Sequence, residues 1–247
     1  MRIAIPLMMA VLLGTSAAAR AAEMPQVPMP EPRPTAAEAP VAAPVQNSQG
    51  EKTPESVAKP QVIACDIVGA FFSKAEQPQA KAPDGSDSAC VIDNPVTLDA
   101  ILALDGARRI SITGTPLLSC AYVGELTAFL RTIADPMAEG TFGAAIREVR
   151  TGPGFQCRYR NRASSGKVSA HGKGIALDIA GFELTDGRFV AVGSGPAEDR
   201  TFIDAIRKAS CGHFTTVLGP GSDSAHETHV HLDTERHGRS DAYRICQ

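Results

Sequence analysis

The chain contains no tryptophan, and aromatic residues make up only 5% of its 247 positions. It has no basic excess: 24 Lys and Arg stand against 27 Asp and Glu, a formal net charge of -3. A protein that binds nucleic acid gains most of its affinity by neutralising phosphates, so nucleic acid is excluded as the expected partner. No run reaches the roughly 20 apolar residues a bilayer span needs, which argues against a membrane transporter. The composition does not fit a coiled coil either. The cysteines show no Cys-x2-Cys spacing, so a cysteine-ligated metal is not expected. What is present is an even count of 6 Cys, which suits up to three disulfides in an oxidising compartment.

Three parts can be read along the chain. Residues 1–21 have the form of a signal peptide. Arg2 supplies the positive start, Ile3 to Gly14 is apolar apart from Pro6, and Ala19-Arg20-Ala21 is a small-x-small cleavage site. That apolar run is too short to be an anchor helix. No Cys follows the site, so neither a lipid anchor nor a membrane span is expected after cleavage. Residues 22–60 read as a disordered Pro/Ala-rich linker. Nine of the 18 prolines fall between Glu23 and Pro60, with no aromatic residue or cysteine. Such a stretch buries too little apolar area to offset its chain entropy. The first cysteine is Cys65 and the first aromatic is Phe71, which places the folded domain at 61–247.

Within that domain, Gln77 to Ala89 reads as a polar surface loop. Alternation predicts a strand over Arg108–Thr113, with Ile110 and Ile112 inward. Ser119 is positioned to cap a helix running to Ala134, with Val123, Leu126, Leu130 and Ile133 as its apolar stripe and Asp135-Pro136 as its stop. A second helix is predicted over Glu198–Ser210. Further strands fit Ala144–Arg150, Ile175–Ala180, Arg188–Val192, Phe214–Leu218 and His229–Asp233. Strands and helices do not alternate regularly, so the expected class is α+β: a small antiparallel sheet packed with helices and stapled by disulfides.

Four of the 6 histidines fall in two short segments. The first is Ser169-Ala-His171-Gly-Lys-Gly174-Ile-Ala176-Leu-Asp178-Ile. As a strand, Ile175, Leu177 and Ile179 form a core face, and the opposite face holds small residues around the Asp178 carboxylate. That leaves a hollow a metal and a substrate would fill. His171 lies in the preceding glycine-flanked loop, from which it can fold back beside Asp178. The second segment is His226-Glu-Thr-His229-Val-His231-Leu-Asp233. On a strand, His229 and His231 share one face about 7 Å apart. Both can bind one metal, or one can bind while the other moves a proton. Each segment alone fits an ordinary loop histidine or a salt-bridged aspartate. Together they supply the two-His, one-carboxylate set of a catalytic zinc site.

Ser-x-His-x6-Asp followed by His-x-His resembles the zinc peptidases of the lysostaphin, D-Ala-D-Ala-peptidase and hedgehog group. Within that group, the stretch from about Cys120 to Cys246 resembles the bacterial extensin-like C-terminal domain family. Supporting segments are Arg150-Thr-Gly-Pro-Gly-Phe-Gln-Cys157-Arg158 and Val217-Leu-Gly-Pro-Gly-Ser-Asp223. The resemblance implies that His171, Asp178 and His231 hold Zn2+ and that His229 assists proton transfer. Many members place a Glu three residues before the last ligand; here that position is Thr228. The run His226-x-x-His229-x-His231 instead resembles a histidine-rich murein endopeptidase version, which brings His226 into the catalytic set. Glu227, beside His226, is expected to face away. Arg158 sits where related enzymes put an arginine on the substrate carbonyl or carboxylate. Ser169 is expected to order the His171 loop.

The function these readings imply is an exported, periplasmic zinc-dependent peptidoglycan hydrolase, cutting an amide in a stem peptide or cross-bridge. The alternative is a wall-binding or regulatory module that keeps the metal and does not cleave. A non-haem iron oxygenase shares the ligand set, but normally with a closely spaced His-x-Asp pair. Among the fifteen possible cysteine connectivities, the expected set is Cys65–Cys90 around the polar loop, Cys120–Cys157 and Cys211–Cys246.

Overall fold

The computed structural model describes residues 65–81, 85, 90–238 and 243–247. The expected signal peptide and the linker lie outside these residues. The strands are β1 (Ala70–Lys74), β2 (Pro95–Leu102), β3 (Arg109–Ile112), β4 (Leu117–Ser119), β5 (Ile146–Thr151), β6 (Ala176–Leu184), β7 (Phe189–Ala191), β8 (Thr216–Leu218), β9 (Val230–Asp233) and β10 (Ile245–Cys246). The helices are α1 (Cys120–Phe129), α2 (Asp135–Phe142) and α3 (Ala197–Ser210). The class is α+β, as expected.

The sheet is larger than the small one expected. Among the described residues it has ten strands, in the order β1-β2-β3-β5-β6-β9-β8-β10, with β4 on β2 and β7 on β6. It is also mixed: β3 runs parallel to β5, and β10 parallel to β8. The parallel β3–β5 pair arises because the α1–α2 helical run lies between those strands, the kind of crossover a parallel connection needs.

Period-2 alternation sorts the central strands. Leu177 and Ile179 of β6, Val217 of β8, and Val230 and Leu232 of β9 enter one hydrophobic core with the helices. Asp178, Thr216, Leu218, His231 and Asp233 therefore fall on the other face. Aromatic edges lock helices to sheet: Phe182 meets Phe202 of α3 at 5.8 Å between ring centroids, and Phe202 meets Phe142 of α2 at 5.0 Å. Tyr122 of α1 donates its hydroxyl to the Leu232 carbonyl at 2.9 Å, tying α1 to β9 from the core side.

Ser119 caps α1 as expected, its side chain accepting from the Tyr122 N–H. The predicted stop at Asp135-Pro136 fails. The chain stays helical through a π-helical segment, Leu130–Ala134, and α2 begins at Asp135. Proline offers no N–H, and the wider π turn shifts the hydrogen-bond register just before it. Asp135 is then free for another task. Its buried carboxylate accepts the Ile146 N–H at 2.8 Å and pairs with Arg108 at 2.7 Å, joining helix to β5.

The disulfides correct two expected pairs. They are Cys65–Cys120, Cys90–Cys157 and Cys211–Cys246. Antiparallel pairing of β1 with β2 returns Cys65 to the start of α1, with Cα atoms 5.8 Å apart. Cys90, just ahead of β2, lies against the 3-10 turn Ala170–Lys173: a Cβ on Gly172 would stand 3.1 Å from its sulfur. The polar loop is thus not closed on itself. Each bridge spans tens of residues, worth about 4 kcal/mol in a chain-entropy account.

Candidate metal centre

Strand register builds the centre. Asp178 of β6 is the direct cross-strand partner of His231 on β9, and Asp233 is the partner of Thr216 on β8. Asp178 Oδ1 lies 2.9 Å from His231 Nδ1. His171 arrives from the 3-10 turn Ala170–Lys173, its Nε2 3.4 Å from the same oxygen and 3.3 Å from His231 Nδ1. One donor atom from each of these residues lies within 4.8 Å of the others.

The His171 turn is held from several sides. Gly174 closes it in the left-handed region at φ 64, its N–H on the His171 carbonyl, while Gln156 donates to that carbonyl from the other side. Gly154 is packed so closely on β4 that a Cβ would stand 2.6 Å from the Leu117 carbonyl. Only glycine fits there, and its carbonyl accepts the His171 Nδ1–H at 2.8 Å. That bond fixes the tautomer and turns the lone pair of Nε2 towards Asp178. His231 is set in the same manner from the other end. Its Nε2–H donates to Asp233 Oδ2 at 3.0 Å, leaving Nδ1 to face Asp178. Each imidazole thus has one nitrogen taken by an oxygen and the other turned to a shared point beside a carboxylate. This is the supporting arrangement metal-ligating histidines use, and the residues fit a divalent metal.

The electrostatics agree. Burial works against ionising Asp178, but hydrogen bonds from and the charges of His171 and His231 outweigh it, holding the carboxyl far below the usual carboxylate range. Burial also opposes charge on His231, yet Asp178 and Asp233 outweigh it and raise its pKa to about 9. Without metal, a proton therefore occupies His231 Nδ1, where a cation would replace it.

His229 lies beside this cluster, its Nε2 3.7 Å from Asp178 Oδ1. Burial lowers its pKa; attraction to Asp178 does not undo this, and the neighbouring histidines reinforce it. Burial thus favours the neutral imidazole of His229, the form able to take a proton. His226 is buried beside it, with ring centroids 5.2 Å apart, and its Nδ1 is 2.7 Å from Asp223 Oδ1. Arg158 is held by the Gln156 side-chain oxygen at 3.0 Å and the Tyr159 carbonyl at 3.3 Å. Asp178, His229, His231, His226 and Arg158 all line one cavity of about 600 Å3. Glu227 and Thr228 are both exposed.

The family match now has a site to refer to. The family described as extensin-like protein C-terminus matches residues 31–247. The chain belongs to this family. The match extends well beyond the Cys120–Cys246 stretch on which the resemblance rests. No curated protein and no solved structure matches the chain.

Several residues that this extensin-like domain uses to hold the centre stand outside its histidine motifs. Gly154 is visible in sequence only as part of a glycine-proline run. Asp233, two positions after His231 on the same strand face, is visible by alternation. Beyond it, the Thr216 hydroxyl hydrogen-bonds Asp233, and Thr216 Oγ1 lies 2.7 Å from His237 Nε2. The ordered path His237–Thr216–Asp233–His231 therefore runs from the cavity wall into the centre. No spacing rule reveals it, because β8 contributes Thr216, β9 contributes His231 and Asp233, and the segment after β9 contributes His237.

Proposed function

We propose that the protein is an exported zinc-dependent peptidoglycan hydrolase that cleaves an amide in the stem peptide or cross-bridge, of the DD- or LD-endopeptidase or carboxypeptidase type. The observation that carries this reading is the convergence of His171 Nε2, Asp178 and His231 Nδ1 beside His229, whose neutral form burial favours, in a cavity large enough for a peptide. His171, Asp178 and His231 would hold the ion. When bound, zinc supplies Lewis acidity, making water more acidic and polarising a carbonyl.

The rest falls to the chain's own residues. His229 accepts a proton from the attacking water as its oxygen bonds to the scissile carbon, and returns that proton to the departing amine nitrogen. His226, held by Asp223, packs against the His229 ring and keeps it turned into the cavity. Arg158 faces the developing oxyanion. The kinship with the lysostaphin, D-Ala-D-Ala-peptidase and hedgehog group belongs to this proposal, and so does the periplasmic location, which three disulfides support. One observation favours a second reading, a metal-containing wall-binding module that does not cleave: Thr228 stands where many such peptidases carry a glutamate.

Digestion of purified peptidoglycan by the zinc-loaded protein, with products identified by mass, separates the two. Soluble fragments with new amine and carboxyl ends, abolished by a chelator, support the hydrolase. Wall binding without release of fragments supports the module.

A further inference from the structure

We infer that the 3-10 turn Arg160–Arg162 is a carboxylate-recognition element, which holds an acidic group of a peptide bound over the His171–Asp178–His231 cluster. This rests on the peptide reading above and deepens it by naming a charge the ligand carries.

Arg158, Arg160, Asn161 and Arg162 form one wall of the cavity. Five arginines elsewhere are committed to acids. Arg108 pairs with Asp135, Arg147 and Arg150 with Glu183, Arg188 with Asp199, and Arg207 with Asp204. Among the described residues, no carboxylate comes within salt-bridge distance of Arg160 or Arg162, and Arg158 is hydrogen-bonded to neutral oxygens. The acids of the same cavity are already engaged: Asp178 and Asp233 with His231, and Asp223 with His226. Arg158 feels the charge of Asp178 across the cavity, whereas the Arg160–Arg162 part of the wall presents guanidinium charge with no carboxylate paired to it.

The backbone of the turn points the same way. Asn161 (φ 51) and Arg162 (φ 55) are consecutive non-glycine residues in the left-handed region. Such conformations cost free energy and persist where surrounding structure imposes them. Here both residues are exposed, so core packing does not impose them. The tip is instead braced by the Tyr159–Val168 bridge and the Arg160 N–H on the Lys167 carbonyl at 3.0 Å. The braced tip carries two planar forks. A guanidinium fork matches a carboxylate in bidentate geometry, whereas an amide offers half the acceptors and no charge.

The test is calorimetric titration with stem peptides released from peptidoglycan, and with the same peptides after chemical amidation of their carboxylates. Full-length protein in a His229→Ala background keeps the donor set and slows turnover. Arg160→Gln combined with Arg162→Asn removes both forks, and asparagine tolerates the left-handed region, so the melting temperature should hold. Arg200→Gln, on the distant α3, is the control. Amidation should weaken binding to the parent by about tenfold or more, and should have no further effect in the arginine variant. Equal binding of both peptides by the parent, or full carboxylate preference in a folded Arg160/Arg162 variant, overturns this inference and leaves the hydrolase reading standing. Failure of the parent to bind either peptide overturns the peptide reading and this inference with it.

Discussion

Asp178 and His231 face one another across β6 and β9, and Asp178 Oδ1 stands 2.9 Å from His231 Nδ1. The opposite nitrogen of His231 is held by Asp233. One imidazole is thereby fixed between two carboxylates of different purpose, one placed to hold a metal and one an orienting partner. Replacing Asp233 with Asn keeps the shape but weakens the orienting bond. Outer-shell changes of this kind cost about 10- to 100-fold in metal affinity. Competition of Asp233→Asn against a fluorescent zinc chelator should show such a loss with the fold intact. An unchanged affinity would deny Asp233 its role.

His237 should act through the same path at smaller amplitude. It reaches Asp233 only by way of the Thr216 hydroxyl. Thr216→Val breaks the path and Thr216→Ser preserves it. Zinc affinity should fall in the first variant and recover in the second. Equal affinities in both would show that the hydroxyl does not matter.

The metal-free protein should lose stability as the solution turns alkaline. Burial disfavours charge on His231, but its two carboxylates raise its folded-state pKa from the ordinary 6.5 to about 9. A group with a raised folded pKa contributes fully below its unfolded value and loses that contribution as pH climbs through the folded one. The window is therefore pH 6.5 to about 9, and the loss is on the order of 3 kcal/mol, counted once for the coupled cluster. Urea midpoints of chelator-treated protein across that range check the sign. Zinc affinity should rise over the same window, because the Nδ1 proton no longer competes.

His229→Ala should leave zinc bound and slow amide cleavage by about 10²- to 10⁴-fold, the usual share of a positioned acid–base group. Because burial lowers its pKa below 6.5, the acid limb of kcat/KM for the unmodified protein should lie below pH 6.5. A limb at higher pH, or one that survives in His229→Ala, would assign the base elsewhere.

Asp135 supplies a stability test far from the centre. Asp135→Ala leaves the Ile146 N–H and the Arg108 guanidinium without their buried acceptor. The cost should be about 2–3 kcal/mol in urea denaturation, with zinc affinity unchanged.

Much of this arrangement is readable from residue order. Alternation finds β3 and most of β5, and places Leu177 and Ile179 opposite Asp178, because burial of one sheet face is written every second residue. The Ser119 cap and the Phe202–Ile206 face of α3 are local, and they too are legible. What escapes depends on contacts distant in sequence. Asp135-Pro136 looks like a stop because the π segment that accommodates Pro136, and the Arg108 and Ile146 groups that occupy Asp135, are set by packing. Cys90 and Cys157 are 67 positions apart, and only strand order shows that both flank the His171 turn. β2 opens on Pro95, which reads as punctuation, though it sits beside the sheet's edge strand, β1. His171, Asp178 and His231 meet as their spacing suggests, and alternation puts Asp233 on the face of His231, but the Gly154 carbonyl, Thr216 and His237 are visible only once β8, β9 and the 152–158 segment lie together.

The claim on which the rest depends is that His171, Asp178 and His231 form one metal site. The most direct measurement is the metal content, by mass spectrometry, of purified full-length protein dialysed against zinc, with His171→Ala and His229→Ala alongside. The account predicts one zinc per chain in the parent and in His229→Ala, and none in a folded His171→Ala. Zinc retained at one equivalent by His171→Ala, or absent from the parent, would contradict it.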